Sequence, residues 1–322
     1  MPVLPPAPSA PLFIVFNAGS GHNDSAATQA TIAGVLGAAG REHRILMVDD
    51  ARRIGAVAAE AVGLARARGG VVVASGGDGT ISAVAQAVLG SGCAFGVLPQ
   101  GTFNYFSRSH DIPSDTAEAT RLLLTARPHP VQVGLVNERV FLVNASLGLY
   151  PQLLEDREAW KRQFGRSRLV AFGAGLATLL RAHRRLRLRF EHRGEAHDVR
   201  TPTLFVGNNR LQMEQIGTAQ AFAQGRLAGI MLRPVGLGGM LWLLARGALA
   251  RLGEADSVIN FGFDSLTVRL PRFRRARTIK VATDGEVSWL TPPLTFRVSP
   301  EPLALLKPEP EPEPDAAEAG LP

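Results

Sequence analysis

Ser75-Gly76-Gly77-Asp78-Gly79-Thr80 stands between an apolar run, Val71-Val72-Val73-Ala74, and a helix-like run from Ile81 to Leu89. A buried strand, a glycine turn and a helix start, in that order, aim backbone N–H groups from the positive end of a helix. Such a turn holds an anion, most often a phosphate. Asp78 is the unusual member, because a carboxylate repels a phosphate unless a cation or a proton lies between them. The combination points to phosphoryl chemistry. The same residues are also sound turn chemistry, since glycine tolerates positive φ and aspartate initiates turns. The spacing is neither a dinucleotide fingerprint, Gly-x-Gly-x-x-Gly, nor a Walker loop ending in Gly-Lys-Ser/Thr.

The elements that would position this turn are legible around it. Leu12-Phe13-Ile14-Val15-Phe16 reads as a buried strand, followed by the polar loop Asn17-Ala18-Gly19-Ser20-Gly21-His22 and an alanine-rich helix. A strand around Ile45 to Val48 leads into a helix from about Arg53 to Arg66. Ala94 to Leu98 is a fourth strand, and Pro99-Gln100-Gly101-Thr102-Phe103-Asn104 is the loop after it. Alternating strands and helices predict a parallel, doubly wound sheet. Ligands bind beyond the carboxyl ends of such strands, where the loops at 17–22, 75–80 and 99–104 all fall.

Near residue 130 the texture changes to strand-like runs. These are Val131 to Val136, Val140 to Ala145, Leu186 to Phe190, Thr203 to Val206, Leu266 to Leu270, Ile279 to Ala282 and Leu294 to Val298. They predict a mainly antiparallel sandwich, interrupted by helix-like stretches at roughly 152–182 and 237–252. Asp284-Gly285 is a favoured hairpin pair and would join Ile279–Ala282 to a following strand. The expected organisation is an N-terminal disordered segment over 1–11, an α/β domain over 12–130 and a β-rich domain over 131–306. The last segment of the β-rich domain is free to return to the first. The Pro/Glu tail over 307–322 is too polar to pack.

In these motifs the chain resembles bacterial lipid kinases of the diacylglycerol kinase catalytic-domain type, whose nucleotide fold is similar to that of NAD kinases and 6-phosphofructokinases. The matching residues are Asn17-x-x-Ser20-Gly21, Gly76-Gly77-Asp78-Gly79-Thr80 and Leu98-Pro99-x-Gly101-Thr102-x-Asn104. Ser146 to Tyr150, Val206-Gly207-Asn208-Asn209 and Asp284-Gly285-Glu286 follow in the same order. The resemblance implies a nucleotide domain of that kind followed by the antiparallel domain, with ATP bound in the cleft between them. It implies that Asn17, Ser20, Gly21, Gly76, Gly77, Gly79, Thr80, Gly101, Thr102 and Asn104 line the nucleotide site. Asp78 would help hold Mg²⁺ on the phosphates. A lipid hydroxyl must lose a proton as it attacks the γ-phosphate, and Asp284 and Glu286 are both candidates to accept it.

Two departures from the family pattern stand out. Tyr105 follows the Gly-Thr-x-Asn motif where relatives often have aspartate. Gln224-Gly225-Arg226-Leu227-Ala228-Gly229 matches a segment from which relatives draw two carboxylates for a structural Mg²⁺. That structural site is therefore expected to be absent, with Arg226 occupying its charge.

Charge bears on the partner. The formal net charge is +7, with 46% hydrophobic and 20% charged residues, and the pI is near 10.6. Such a balance favours a polyanionic partner. Eight arginines fall between Lys161 and Arg193 around the apolar stretch Leu169 to Leu180, and Met240 to Arg246 is a second such stretch. Each cation near an anionic lipid surface contributes about 1 kcal/mol, so this pattern suits a helix at a membrane surface. The alternative reading is a buried helix beside a solvated arginine strand. No nucleic-acid-binding motif is visible. The N-terminus does not read as a secretion signal, and no apolar stretch is long enough to span a bilayer. The expected location is cytoplasmic, peripheral on the inner face of the cell membrane; a homodimer is compatible with the chain. The single cysteine, Cys93, excludes an intramolecular disulfide.

The reading is an ATP-dependent lipid kinase using Mg²⁺, with a diacylglycerol- or ceramide-type acceptor. The alternatives are an NAD-kinase-like soluble kinase, and a non-catalytic lipid- or nucleotide-binding relative.

Overall fold

The structure, a computed structural model, describes residues 9–20, 24–148, 186–192, 195–201, 203–208, 225–232, 258–269 and 278–308. Gly21, His22, Leu149, Tyr150, Asn209, Gln224 and the helix-like stretches at 152–182 and 237–252 lie outside the described residues.

The first sheet contains β1 (Leu12–Asn17), β2 (His43–Val48), β3 (Val71–Gly76), β4 (Ala94–Pro99), β5 (Arg127–Val131) and β18 (Leu303–Lys307). Its order is β2-β1-β3-β4-β18-β5, parallel throughout except for the antiparallel pair β18–β5. Strands β1, β3 and β4 are near-continuous apolar runs because helices cover both faces. Those helices are α1 (Ser25–Ala38), α2 (Ile54–Arg68), α3 (Asp78–Val88), the single turn α4 (Tyr105–Arg108) and α5 (Thr116–Thr125). Strand order reverses between β1 and β3, so their carboxyl ends, Asn17 and Ser75-Gly76, diverge around a crevice.

The second sheet runs β10 (Glu195–Thr201), β9 (Leu186–His192), β14 (Ser265–Arg269), β17 (Leu294–Val298), β6 (Gly134–Val136), β7 (Arg139–Phe141). The third runs β13 (Val258–Phe263), β12 (Leu227–Leu232), β11 (Thr203–Gly207), β8 (Asn144–Gly148), β15 (Ile279–Thr283), β16 (Glu286–Leu290). Every pairing in both sheets is antiparallel. They close on one core, to which Phe141, Phe296 and Leu266 contribute from one sheet and Leu147, Val206 and Val281 from the other. The fold is thus α/β, a parallel nucleotide-binding-type sheet followed by an antiparallel sandwich, as the patterning predicts.

Two expected strands are each divided between sheets. The run from Val131 to Val136 breaks at Gln132-Val133, leaving β5 on the first sheet and β6 on the second. The run from Val140 to Ala145 breaks at Leu142-Val143, whose amides turn away from any ladder to a carboxylate. Unbroken apolarity hid both breaks. The segment after residue 300 returns to the first sheet as β18, with Leu303, Leu305 and Leu306 buried in that core.

Arg226, just before β12, donates through Nη2 to the Gly262 carbonyl at 2.7 Å, and its Nε lies 3.6 Å from Asp264 Oδ1. The side chain ties the start of β12 to the β13–β14 turn. A charge-assisted hydrogen bond of this kind is worth about 1.5–3 kcal/mol; the exposed carboxylate adds little. Arg226→Ala is expected to lower stability by about 1–3 kcal/mol in urea unfolding, with no recovery on adding Mg²⁺.

His110, which follows α4, packs edge-on to Phe106 at 4.7 Å between ring centroids. Burial, helped by the charge of Lys307, pushes its pKa down to about 4. The unfolded chain takes up this proton near its ordinary 6.5, whereas the folded chain resists until about 4. Between those values the unfolded state binds more protons, so stability falls as pH falls. The loss from pH 7 to pH 4 is expected to be on the order of 2–3 kcal/mol. His110→Phe should flatten that limb in acid titrations of thermal unfolding.

Candidate active site

The glycine turn is the passage from β3 into α3. Gly77 is the N-cap in extended conformation, and Ile81 N–H donates to its carbonyl at 3.0 Å. The first amides of this 11-residue helix have no intrahelical acceptor and point out of its N-terminus. Thr80 is buried and central: Asn17 Nδ2 donates to its Oγ1 at 2.8 Å, and Ser20 Oγ lies 3.4 Å from the same oxygen. Asn17 Oδ1 accepts the Gly19 amide at 3.1 Å, which fixes the amide's orientation. These contacts bridge the crevice between the carboxyl ends of β1 and β3.

Close packing explains two of the glycines. A Cβ at Gly76 would fall 2.5 Å from Thr80 Cβ, and one at Gly101 would fall 2.9 Å from Gly77 Cα. The 75–80 and 99–104 loops therefore touch backbone to backbone. Gln100 N–H also donates to the Gly76 carbonyl at 2.8 Å. Asn104, in the left-handed region at φ 48°, closes the second loop on itself. Its Oδ1 accepts the Gly101 N–H and its Nδ2 donates to the Gly101 carbonyl, both at 2.9 Å. Thr102 is exposed on the same loop.

Asp78, read from the resemblance as facing a metal, has its carboxylate against the next loop. Oδ2 accepts the Tyr105 N–H and Oδ1 the Phe106 N–H, each at 3.3 Å. Burial pushes its carboxyl above the ordinary range, opposed by the amides of Phe106, Tyr105 and Asn104. The Tyr105 and Phe106 hydrogen bonds engage two of its about four lone-pair positions. Phe103, half exposed, stacks on Tyr105 with centroids 5.5 Å apart and planes 7° from parallel. Residue 105 adds an aromatic plate beside the turn.

Asp284 and Glu286 occupy very different surroundings. Asp284 and Gly285, both at positive φ, form the two-residue turn between β15 and β16. The Asp284 carboxylate accepts four hydrogen bonds. Oδ2 takes Leu142 N–H and Ser82 Oγ–H, both at 2.8 Å. Oδ1 takes Val143 N–H at 2.8 Å and Asn144 N–H at 3.0 Å. Burial pushes its carboxyl upward, opposed by the amides of Leu142 and Asn144, the Ser82 hydroxyl and the amide of Val143. All four lone-pair positions are filled.

Glu286 is exposed, and its Oε1 lies over Gly79: a Cβ there would sit 2.6 Å from it. Arg139 approaches its Oε2 at 3.7 Å and donates through Nε to Thr283 Oγ1 at 3.1 Å. The structure thus brings Glu286, from the sandwich, onto the glycine turn of the first sheet. Asn208 has a bracing place below this hairpin. It is buried, donating to the carbonyls of Gln132 and Leu142 and accepting from Gln132 Nε2.

Ser82, Gln86 and Arg139 escape sequence reasoning. The available signal was slight: Ser82 and Gln86 are polar and four apart on a helix whose Ile81, Val84, Ala85 and Val88 are buried. Among the described residues no three His, Cys, Asp or Glu side chains converge on a metal position. No helix among them is long and apolar enough to cross a membrane.

The family model of the diacylglycerol kinase catalytic domain matches residues 11–136. A "Probable lipid kinase YegS-like" of Klebsiella pneumoniae (strain 342) is 43% identical over 79 residues, 24% of this chain and 27% of that one. A "Probable lipid kinase YegS" of Salmonella gallinarum is 30% identical over 166 residues, half of each chain. The alignments thus span about a quarter to a half of the length of these curated relatives. A crystal structure of a diacylglycerol kinase from Bacillus anthracis str. Sterne superposes with a TM-score of 0.65. It covers 93% of this chain and 97% of that one at 18% identity, a likeness of fold. The matched residues run from β1 through both glycine loops to β6, so this part of the chain is similar to the diacylglycerol kinase catalytic domain and to curated probable lipid kinases.

Proposed function

We propose that this protein transfers the γ-phosphate of ATP to the hydroxyl of a lipid alcohol, of diacylglycerol or ceramide type, at a membrane surface. One observation carries the reading: a carboxylate of the sandwich, Glu286, lies over Gly79 of an anion-holding glycine turn. The residues present fit the groups such a reaction needs. Gly76 and Gly101 let the two loops pack where a Cβ would strike Thr80 or Gly77, and the amides opening α3 favour negative charge beside them. Mg²⁺ takes one or two carboxylates together with substrate phosphates; Asp78, with lone-pair positions left, suits that role. ATP and the divalent cation would supply the transferable phosphoryl group and neutralise its charge.

The chain's own residues then have distinct tasks. Asn17, Ser20 and Thr80 hold the β1 and β3 ends at a fixed width. Asn104 keeps Gly101 against Gly77. Glu286, whose carboxylate faces Arg139 at 3.7 Å, accepts the proton that the lipid hydroxyl must shed. Asp284 cannot accept that proton without giving up one of its four donors, so it serves as a structural anchor for the hairpin.

The test is incubation of purified protein with γ-labelled ATP, Mg²⁺ and vesicles containing diacylglycerol or ceramide, with NAD in a parallel arm. Label in a lipid product, abolished by EDTA, supports the proposal. Label in NADP alone would replace it with a soluble nucleotide kinase, and ATP binding without transfer would replace it with a non-catalytic relative.

A further inference from the structure

Helix α3 begins with the glycine turn, and its flank is fastened to the sandwich at two points one helical turn apart. Ser82 Oγ donates to Asp284 Oδ2 at 2.8 Å. Four residues later Gln86 pairs with the β6–β7 hairpin: its Oε1 accepts Val140 N–H at 2.8 Å and its Nε2 donates to the Glu138 carbonyl at 3.1 Å. The amide of Gln86 thus satisfies one donor and one acceptor of the hairpin, much as a strand neighbour would. Residues i and i+4 lie on one face of a helix, so both ties hold the same side of α3.

The two hairpins so held are those that present Glu286 and its neighbour Arg139. Beneath them Asn208 and Gln132 brace the Leu142-Val143 loop that Asp284 grips. A continuous set of hydrogen bonds therefore runs from the sandwich interior to the helix whose N-terminus is the glycine turn.

We propose that Ser82 and Gln86 are positioning residues: they set the placement of the Glu286 carboxylate relative to the glycine turn, acting through Asp284 and Val140. Neither touches the crevice. Reactions that depend on alignment lose about 10²-fold for a displacement near 1 Å, so loosening this face should slow transfer without weakening nucleotide binding. The proposal rests on the kinase reading for its kinetic arm only.

The experiment compares Ser82→Ala, Gln86→Ala, the double variant and Ser82→Thr, which keeps the hydroxyl. Lipid-kinase kcat and KM for ATP are measured with diacylglycerol vesicles. Amide exchange at Val140 and the thermal midpoint are measured on the same proteins. The expected result for the double variant is a kcat lowered about tenfold or more, with KM for ATP within about twofold. Ser82→Thr should stay near wild type, and Val140 should exchange about tenfold faster in Gln86→Ala. Unchanged kcat in the double variant overturns the proposal. So does a fall in kcat accompanied by an equal rise in KM, or one that Ser82→Thr fails to avoid. If the wild-type protein phosphorylates no lipid, the functional reading fails, and exchange alone decides the docking. Faster exchange at Val140 with the thermal midpoint retained then supports it, and unchanged exchange refutes it.

Discussion

Glu286→Gln is expected to lower kcat for lipid phosphorylation by about 10²- to 10⁴-fold, the usual contribution of a positioned proton acceptor. Stability should be nearly unchanged, because the side chain is exposed and its ion pair with Arg139 is long and solvated. Glutamine keeps the shape over Gly79 and removes only the capacity to take a proton. Asp284→Asn should behave in the opposite way. Its carboxylate meets four donors, and an asparagine would turn an NH₂ group toward at least one backbone N–H. Leaving buried donors unpaired around a lost charge costs about 2–5 kcal/mol. The variant should therefore show a lowered thermal midpoint and an altered β15–β16 hairpin, with activity lost through structure. Steady-state kinetics with urea unfolding on both variants separates the two roles. A stable, inactive Asp284→Asn beside an active Glu286→Gln would reverse them.

That division could not be drawn from the sequence, where Asp284 and Glu286 are equivalent carboxylates two residues apart. What distinguishes them is the loop at Leu142-Val143-Asn144, about 140 residues earlier in the chain, which fills one carboxylate and leaves the other open. Local pattern does carry the first sheet. Its strands are short apolar runs next to glycine turns, and each lies close in sequence to the helix that covers it. It carries the hairpin as well, since Asp-Gly adopts the two positive φ values the turn requires. It does not carry β18, which joins β4 and β5 across roughly two hundred residues. Nor does apolarity alone tell where Val131–Val136 or Val140–Ala145 must break, because the break is made by polar partners elsewhere. Asn17 and Thr80 were legible as members of separate loops. Their contact is a property of the crevice at the strand-order reversal.

The second large effect is expected at Gly101. A methyl group there would lie 2.9 Å from Gly77 Cα and 2.8 Å from Asn104 Oδ1, both closer than carbon or oxygen tolerates. The Asn104 side chain cannot swing aside without releasing the Gly101 N–H and carbonyl that it holds at 2.9 Å. Gly77 is backbone at the N-cap of α3, so relief on that side means shifting the amides that open the helix. Gly101→Ala should therefore push the two loops apart, raise KM for ATP by about tenfold or more, and cost about 1–3 kcal/mol from overpacking. Gly34→Ala supplies the contrast. It stands in the middle of α1 with nothing within 4 Å of the added methyl, and alanine there favours the helix by about 1 kcal/mol. That variant should be slightly more stable and fully active. Nucleotide binding measured by calorimetry on both proteins, with unfolding in urea, provides the test. Equal ATP affinity in Gly101→Ala and wild type would show that the contact between the glycine loops does not shape the nucleotide site.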